Sequence, residues 1–506
     1  MNRLLPRPAS FAPGEGTVTW TSPLHIATDT AFEGVARRFG ADLADALGWD
    51  VAVAESGPIV LRQVEGLGDE GYRLSVDTVT VIEATAPAGV SYALTALRQL
   101  GPAAMWSRTI ARTDAIEIPR VRCEDAPRFA WRGAHLDVAR HFFDVATVMR
   151  FIDLLAAHRL NRLHLHLNDD QGWRVEVPGW ARLTSVGSVR RSSPIGHERD
   201  GLDDGLAHGG FFSDADLVAL REHAASRHVV IVPEIDLPGH AQAAIAAYPE
   251  LGNSTEPLEV WTRWGISEHV LNVDDVAFAF ADAAVSHVAD LFPTSPVHIG
   301  GDECPTIEWE NSPTARRVMS ERGFESARDL QGLYTTRLAA LLQGRGHEVV
   351  AWDEVLDAEV PEGTVIAAWR EASKGVDAAR RGLDVIMAPM QSVYFDWLNS
   401  DGEGEPMAIA PAPYVTTWES VYGFQVVPAQ LEAELVHHVR GAQAQHWTEY
   451  IATRDHLDYM AFPRLCAFSE LGWGTAGDLE EFRERLRTHL TRLDAMGVAY
   501  RAIEGC

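Results

Sequence analysis

From Phe129 onward the chain repeats one pattern: a short apolar run ending in polar or aromatic residues, then an amphipathic stretch. The runs lie near Gly133–Leu136, Arg162–Leu167, Val229–Ile235, Val297–Ile299, Val349–Trp352, Val365–Trp369, Val385–Ala388 and Gly441–His446. Strands alternating with helices make βα units and a parallel sheet. Eight such units predict a closed (β/α)8 barrel, with catalytic side chains gathered where the strands end. A barrel of this kind takes roughly 250 residues, so a barrel domain spanning 128–506 needs long loops. Asp169–Arg227 and Tyr248–Asp275 are the candidates.

Residues 1–127 read as a separate, non-catalytic α+β domain. Thr17–Trp20 and Ile59–Leu61 have strand character, and Phe32, Val35, Phe39, Leu43 and Leu47 have helical spacing. Tyr72–Val76 and Val79–Ile82 form an expected hairpin about Asp77-Thr78, and a helix follows from Ala88 to Leu100. Nothing in this part converges into a site. The junction is expected at Cys123–Arg128.

The barrel part is centred on Val297-His298-Ile299-Gly300-Gly301-Asp302-Glu303-Cys304-Pro305. Neighbours in a strand point to opposite faces, so Asp302 and Glu303 can serve one pocket only where the strand breaks. Gly300, Gly301 and Pro305 permit that break. Two such carboxylates away from water are driven apart in pKa, one protonated and one ionised, which is chemistry for cutting a glycosidic bond. By themselves the two residues fit a helix N-cap acid beside a solvated neighbour equally well.

The other strand ends carry Asp137 and Arg140; His166, Asp169 and Asp170; Glu234, Asp236 and His240; Trp352, Asp353 and Glu354; Trp369 and Arg370; Tyr394 and Asp396; and Trp447 and Glu449. One early arginine, Arg132, stands just before the first run. Aromatic faces stack on sugar rings, while carboxylates and arginine bind hydroxyl pairs. A single tryptophan is usually core, but three of the fifteen gather at these ends, which favours a sugar platform.

A net charge of -29 disfavours nucleic acid and anionic membranes as partners and suits neutral or cationic small substrates. The start, Met1–Pro8, has no apolar signal-like core, and no stretch reads as a membrane span. Cys123, Cys304, Cys466 and Cys506 lack C-x-x-C spacing, so ordinary thiols are expected, with no zinc or iron–sulfur cofactor. A cytoplasmic location follows as an expectation.

His164-Leu165-His166-Leu167-Asn168-Asp169-Asp170-Gln171-Gly172-Trp173-Arg174, Pro233–His240, the Gly300–Glu303 centre, Trp352–Glu354, Tyr394–Asp396 and Trp447–Glu449 together resemble the family 20 glycoside hydrolases, the β-N-acetylhexosaminidases. The resemblance extends through Arg132–Phe142 and back to Gly68–Leu74 and Ala88–Leu100, similar to the family's non-catalytic N-terminal domain.

The resemblance implies Glu303 as general acid, with Asp302 holding the substrate's 2-acetamido group and Tyr394 bonding its oxygen. It implies Arg132, Asp396 and Glu449 on sugar hydroxyls, and Trp352, Trp369 and Trp447 as walls. It makes Asp169 (preferred over Asp170) and His240 a pair that tunes the acid. No metal or other cofactor is implied; the substrate is a terminal β-N-acetylhexosaminide, cleaved with retention through an oxazolinium intermediate. GlcNAc versus GalNAc and the oligomeric state stay open.

Departures are Asn168, Phe212 and the segment Thr416–Gly423, the last expected to shape the leaving-group side. Two other classes compete. His164 and His166 face the same way on a strand, as in a metal-dependent barrel hydrolase, and a catalytically silent carbohydrate-binding barrel would keep the tryptophans but lose the acid. His208-Gly209-Gly210 lacks the G-x-S-x-G elbow a serine hydrolase needs.

Overall fold

Each of the eight apolar runs forms a strand of one closed parallel barrel in the structure, a computed structural model describing residues 3–254, 256–409, 414–474 and 477–503. The strands are β1 (Trp131–Asp137), β2 (Arg162–His166), β3 (Val230–Glu234) and β4 (Val297–His298). They continue as β5 (Val349–Trp352), β6 (Thr364–Ala368), β7 (Val385–Met387) and β8 (Val439–Ala444). Pairing of Gly441 with Trp131 closes β8 onto β1. Parallel strands covered on both faces need apolar runs rather than alternation, and every residue of β1 is buried.

The covering helices are set by caps and stripes. In Val145–Ala157 the Asp144 carboxylate accepts the Thr147 amide at the N-cap, and Val148, Phe151, Ile152 and Leu155 form the buried stripe. Truncating a core side chain such as Phe151 to alanine costs ~3–5 kcal/mol. Asp214–Ser226 starts with a capping box between Ser213 and Asp216.

The N-terminal domain is a seven-stranded mixed sheet in the order Ser10–Thr21, Ala115–Asp125, Tyr72–Val76, Thr80–Ala84, Ile59–Gln63, Leu24–Thr28 and Val51–Val53. Tyr72–Val76 and Thr80–Ala84 form the expected hairpin, and helices Glu33–Leu47 and Pro87–Leu100 pack on the sheet.

Three strands were not anticipated, the longest being Ala115–Asp125. Its Ile116, Ile118, Val121, Cys123 and Asp125 are buried in near alternation, but Pro119 interrupts the pattern at the irregularity opposite Pro13–Thr17. The expected junction from Cys123 therefore begins inside a strand.

The segment Thr416–Gly423 is a correction. Trp418–Tyr422 is a helix on the outer wall: Trp418 and Tyr422 pack against Phe482, and the Thr416 carbonyl accepts from buried Arg464. It is scaffold rather than a leaving-group wall.

Cys123, Cys304 and Cys466 are buried free thiols; Cys506 lies outside the described residues. Among the described residues no helix is long and apolar enough to cross a membrane.

Candidate active site

β4 ends at His298, and the backbone turns through Gly300 (φ 65°) and Gly301 (φ 94°). A Cβ on Gly300 would sit 1.7 Å from Asp236 Oδ1, so only glycine fits here. The Gly301 amide donates to that same oxygen at 2.8 Å. Glu303 follows with φ 44°, a strained value for a side-chain-bearing residue and one often found at working sites. This turn aims both carboxylates at one cavity of 340 Å³, lined by Arg140, Asp302, Glu303, Trp352, Trp369, Met390, Tyr394, Asp396, Trp397, Ile409, Tyr414, Trp447 and Glu449. Asp302 forms part of the floor, its side chain 9% exposed, while Glu303 is 34% exposed toward the rim.

His240 joins the two. Its Nε2 lies 3.8 Å from Asp302 Oδ2 and 3.7 Å from Glu303 Oε2. Its Nδ1 donates to Asp169 Oδ1 at 3.1 Å, closer than Asp170 Oδ2 at 3.4 Å. Asp170 instead accepts the amides of Gln242 and Ser267. Burial opposes charge on both members of the Asp169–His240 pair. Arg140 and His240 nonetheless hold the Asp169 carboxyl well below its usual range, and Asp169 raises His240.

Burial, reinforced by the neighbouring Asp236, pushes Asp302 well above the carboxylate range, and burial raises Asp236 to about 8. The environment thus places a retained proton on the Asp236–Asp302 pair, whereas the expectation from neighbouring carboxylates concerned Asp302 and Glu303 alone. Asp302 Oδ1 and Asp396 Oδ1 are buried with no protein partner, and each faces the cavity as an acceptor awaiting a donor. Burial and Glu449 raise Asp396 as well.

Tyr394 stacks near-parallel with Trp369 at 6.1 Å. Trp369 Nε1 donates to Glu354 Oε2 at 2.8 Å and Trp352 Nε1 to Glu234 Oε1 at 2.8 Å, so both walls are fixed by buried carboxylates. Trp447 lies under the Arg140 guanidinium at 5.0 Å.

Arg132 is a correction. It stands near the start of β1, and in a parallel barrel that is the end opposite the site. Its fully buried guanidinium bonds Glu70, the Tyr92 hydroxyl and the Phe129 carbonyl, tying the barrel to the N-terminal domain. The arginine in the cavity is Arg140, just past the end of the same strand, bonded to Asp169 Oδ2 at 2.8 Å and Gln171 at 2.9 Å. Asn168, one of the departures from the family pattern, clamps the backbone of Asp236: its Oδ1 accepts the amide at 2.8 Å and its Nδ2 donates to the carbonyl at 2.9 Å.

The remaining proposed residues converge. Asp236, Glu354, Met390, Trp397, Ile409 and Tyr414 were missed as site residues. Asp236 and Glu354 stood in the quoted motifs; the rest carry no signal beyond their position after β7.

A wider cleft of 490 Å³ between the domains is lined by Asp42, Asp45 and Asp153, but Asp42 is paired with Arg38, Arg98 and Arg227, and Asp153 with Arg227. The chemistry belongs to the barrel mouth.

A one-ring pocket walled by tryptophans, with adjacent carboxylates on the turn after β4 of a (β/α)8 barrel, defines a glycoside hydrolase. The catalytic-domain profile of glycosyl hydrolase family 20 matches residues 129–476, and that of the family's domain 2 matches residues 1–126. The chain belongs to glycosyl hydrolase family 20, the family of the β-N-acetylhexosaminidases. It is 35% identical over 441 residues to a β-hexosaminidase of Porphyromonas gingivalis, covering 86% of this chain but only 55% of that protein's length. The family 20 β-N-acetylhexosaminidase of Streptomyces coelicolor A3(2) matches with a TM-score of 0.86 and 33% identity, covering 100% of this chain and 98% of that one. The family 20 exo-β-N-acetylglucosaminidase of Vibrio harveyi, solved with N-acetylglucosamine, matches with a TM-score of 0.88 and 29% identity, covering 99% and 78%.

Proposed function

We propose that this protein releases terminal β-linked N-acetylhexosamine, GlcNAc or GalNAc, with retention, the substrate's own acetamido oxygen acting as nucleophile. Family 20 enzymes depart in this way from the scheme of one carboxylate acid and one carboxylate nucleophile. The observation that carries the reading is the turn after β4, which sets one carboxylate in the floor and the next at the rim. A floor carboxylate with an unpartnered buried oxygen suits an N–H on the sugar; a rim carboxylate suits the departing oxygen.

Asp302 accepts the acetamido N–H and strengthens that bond as positive charge grows on the cyclising amide. Tyr394 donates to the acetamido oxygen, and Trp352, Trp369 and Trp447 confine the methyl in a near-attack geometry. Glu303 gives its proton to the leaving oxygen and then takes one from water, with His240 beside it. Arg140, Asp396 and Glu449 hold the ring hydroxyls. A cytoplasmic setting is part of the proposal, supported by the three buried free thiols.

Kinetics on aryl β-GlcNAc, β-GalNAc and β-glucoside test it. Both acetamido sugars should turn over and the glucoside should be hydrolysed negligibly. Comparable turnover of the glucoside would exclude the acetamido nucleophile.

Atoms of Asp236, His240 and Asp302 that can bind metal lie within 4.8 Å of one another, which gives a second reading as a divalent-cation hydrolase. Inactivation by chelation, restored by added cation, would favour it.

A further inference from the structure

Beneath the site the barrel core is polar where such cores are usually aliphatic. His135, His164, His166, Glu234 and His298 point inward and all are buried. Glu234 divides this cluster between two tasks. Oε1 accepts Trp352 Nε1 at 2.8 Å and lies 3.0 Å from His298 Nδ1, which is itself 3.0 Å from the amide of Gly300 in the catalytic turn. Oε2 takes His166 Nδ1 in a short contact, with His164 Nε2 at 3.0 Å. The other nitrogen of His166 reaches Asp169 Oδ2 at 2.9 Å. An unbroken chain therefore runs Glu234–His166–Asp169–His240 and ends beside Glu303.

We propose that Glu234 and His166 are positioning residues of the reaction: a buried carboxylate and imidazolium that fix the charge and aim of the Asp169–His240 pair on the acid, and anchor the Trp352 wall. This rests on Glu303 being the general acid. Both nitrogens of His166 face carboxylates, so only its doubly protonated form can donate to both. Burial opposes that charge, but Glu234 and Asp169 outweigh it and raise His166 to about 10.

The groups around His166 are Glu234 from β3, Asp169 and His164 from β2 and its exit, His135 from β1 and the Trp447 ring past β8. Arg140 acts on it through Asp169. His164, lowered to about 4 by burial, and His135, lowered by burial and its histidine neighbours, are neutral at working pH. His166 is thus the charged link between Glu234 and Asp169.

Removing either charge changes the field at the acid with opposite sign. Glu234→Gln deletes a negative charge, and His166→Gln deletes a positive one. The basic limb of the pH profile of kcat/KM, which reports loss of the acid's proton, should move down in Glu234→Gln and up in His166→Gln. The expected shift is about half a pH unit or more for a charge this close in a protein interior. The double variant removes both charges, relieves the unpaired ion either single variant leaves buried, and should return the limb toward wild type. Binding of a thiazoline mimic of the cyclic intermediate, which needs no acid, should weaken less than kcat/KM in His166→Gln.

Limbs that stay fixed in folded variants, or that move the same way in both, would overturn the proposal. Should a single variant not melt cooperatively, the double variant decides. A folded double variant with wild-type limb and rate-limiting acid step supports the charge pairing, and one displaced in limb refutes it. Glu303→Gln in parallel separates the two claims, because a basic limb that survives that change refutes the acid assignment rather than the positioning role.

Discussion

Asp302→Asn probes the floor of the pocket. The change keeps volume and one acceptor oxygen but removes the carboxylate, so no negative charge can form opposite the cationic amide. In the free enzyme Asp302 Oδ1 is buried without a partner, so the substrate N–H is the bond it lacks. A hydrogen bond to a charged group nets about 1.5–3 kcal/mol. The bond tightens as the amide becomes cationic, and removing one preorganised electrostatic contact of this type costs about 2.7–4 kcal/mol, or 10²–10³ in kcat. KM should change by less than about threefold, because the ground-state amide is neutral. Burial and Asp236 already disfavour the Asp302 charge, so the asparagine variant should melt no lower than wild type. Initial rates on 4-nitrophenyl β-GlcNAc with a thermal melt measure all three quantities. A raised KM with kcat retained would mean Asp302 serves ground-state binding alone, and the transition-state argument would fail.

Arg132→Ala should lower stability by about 3 kcal/mol, the lower end for breaking a buried ion pair because Glu70 is 25% exposed, and leave KM unchanged; denaturant unfolding and kinetics check it. Thermal stability should fall between pH 7.5 and 9.5. His166 holds its proton up to about 10 when folded against 6.5 unfolded, and Asp236 and Glu354 hold theirs to about 8, so the folded chain binds more protons there and loses stability as they leave. Asp169 and Glu234, held low, are ionised in both states at that pH and add no slope; scanning calorimetry across the range would contradict this with a flat or rising Tm. Prolonged EDTA treatment should leave kcat unchanged, and loss restored by a divalent ion would move the protein to the metallohydrolase reading.

The barrel was legible because strands buried on both faces must be apolar throughout, which leaves runs that show against amphipathic helices. Ala115–Asp125 was not, because Pro119 and the bulge opposite it break the alternation a strand is read by. The catalytic turn was legible because adjacent acids after a glycine pair have few ways to share a pocket. Arg132 misled because the resemblance placed it among the sugar contacts, although it stands at the start of its strand, the end that faces away from the cavity in a parallel barrel; Arg140, past the strand's other end, is the arginine that reaches it. The role of Asp236 was hidden because its partner, Asp302, lies 66 positions on, and only the parallel pairing of β3 with β4 brings the two strand exits side by side. The buried histidines were visible as a spacing of two on β2, but the carboxylate they surround comes from β3.

The central claim is that the substrate's amide oxygen attacks. Successive fluorination of the acetyl methyl in 4-nitrophenyl β-GlcNAc withdraws electrons from that oxygen while barely changing the size of the group. The account predicts that kcat falls steeply with each fluorine, by about tenfold or more overall, since each weakens the nucleophile in the step that forms the ring. A kcat that stays level across mono-, di- and trifluoroacetyl substrates would show that some other group attacks, and would contradict the account.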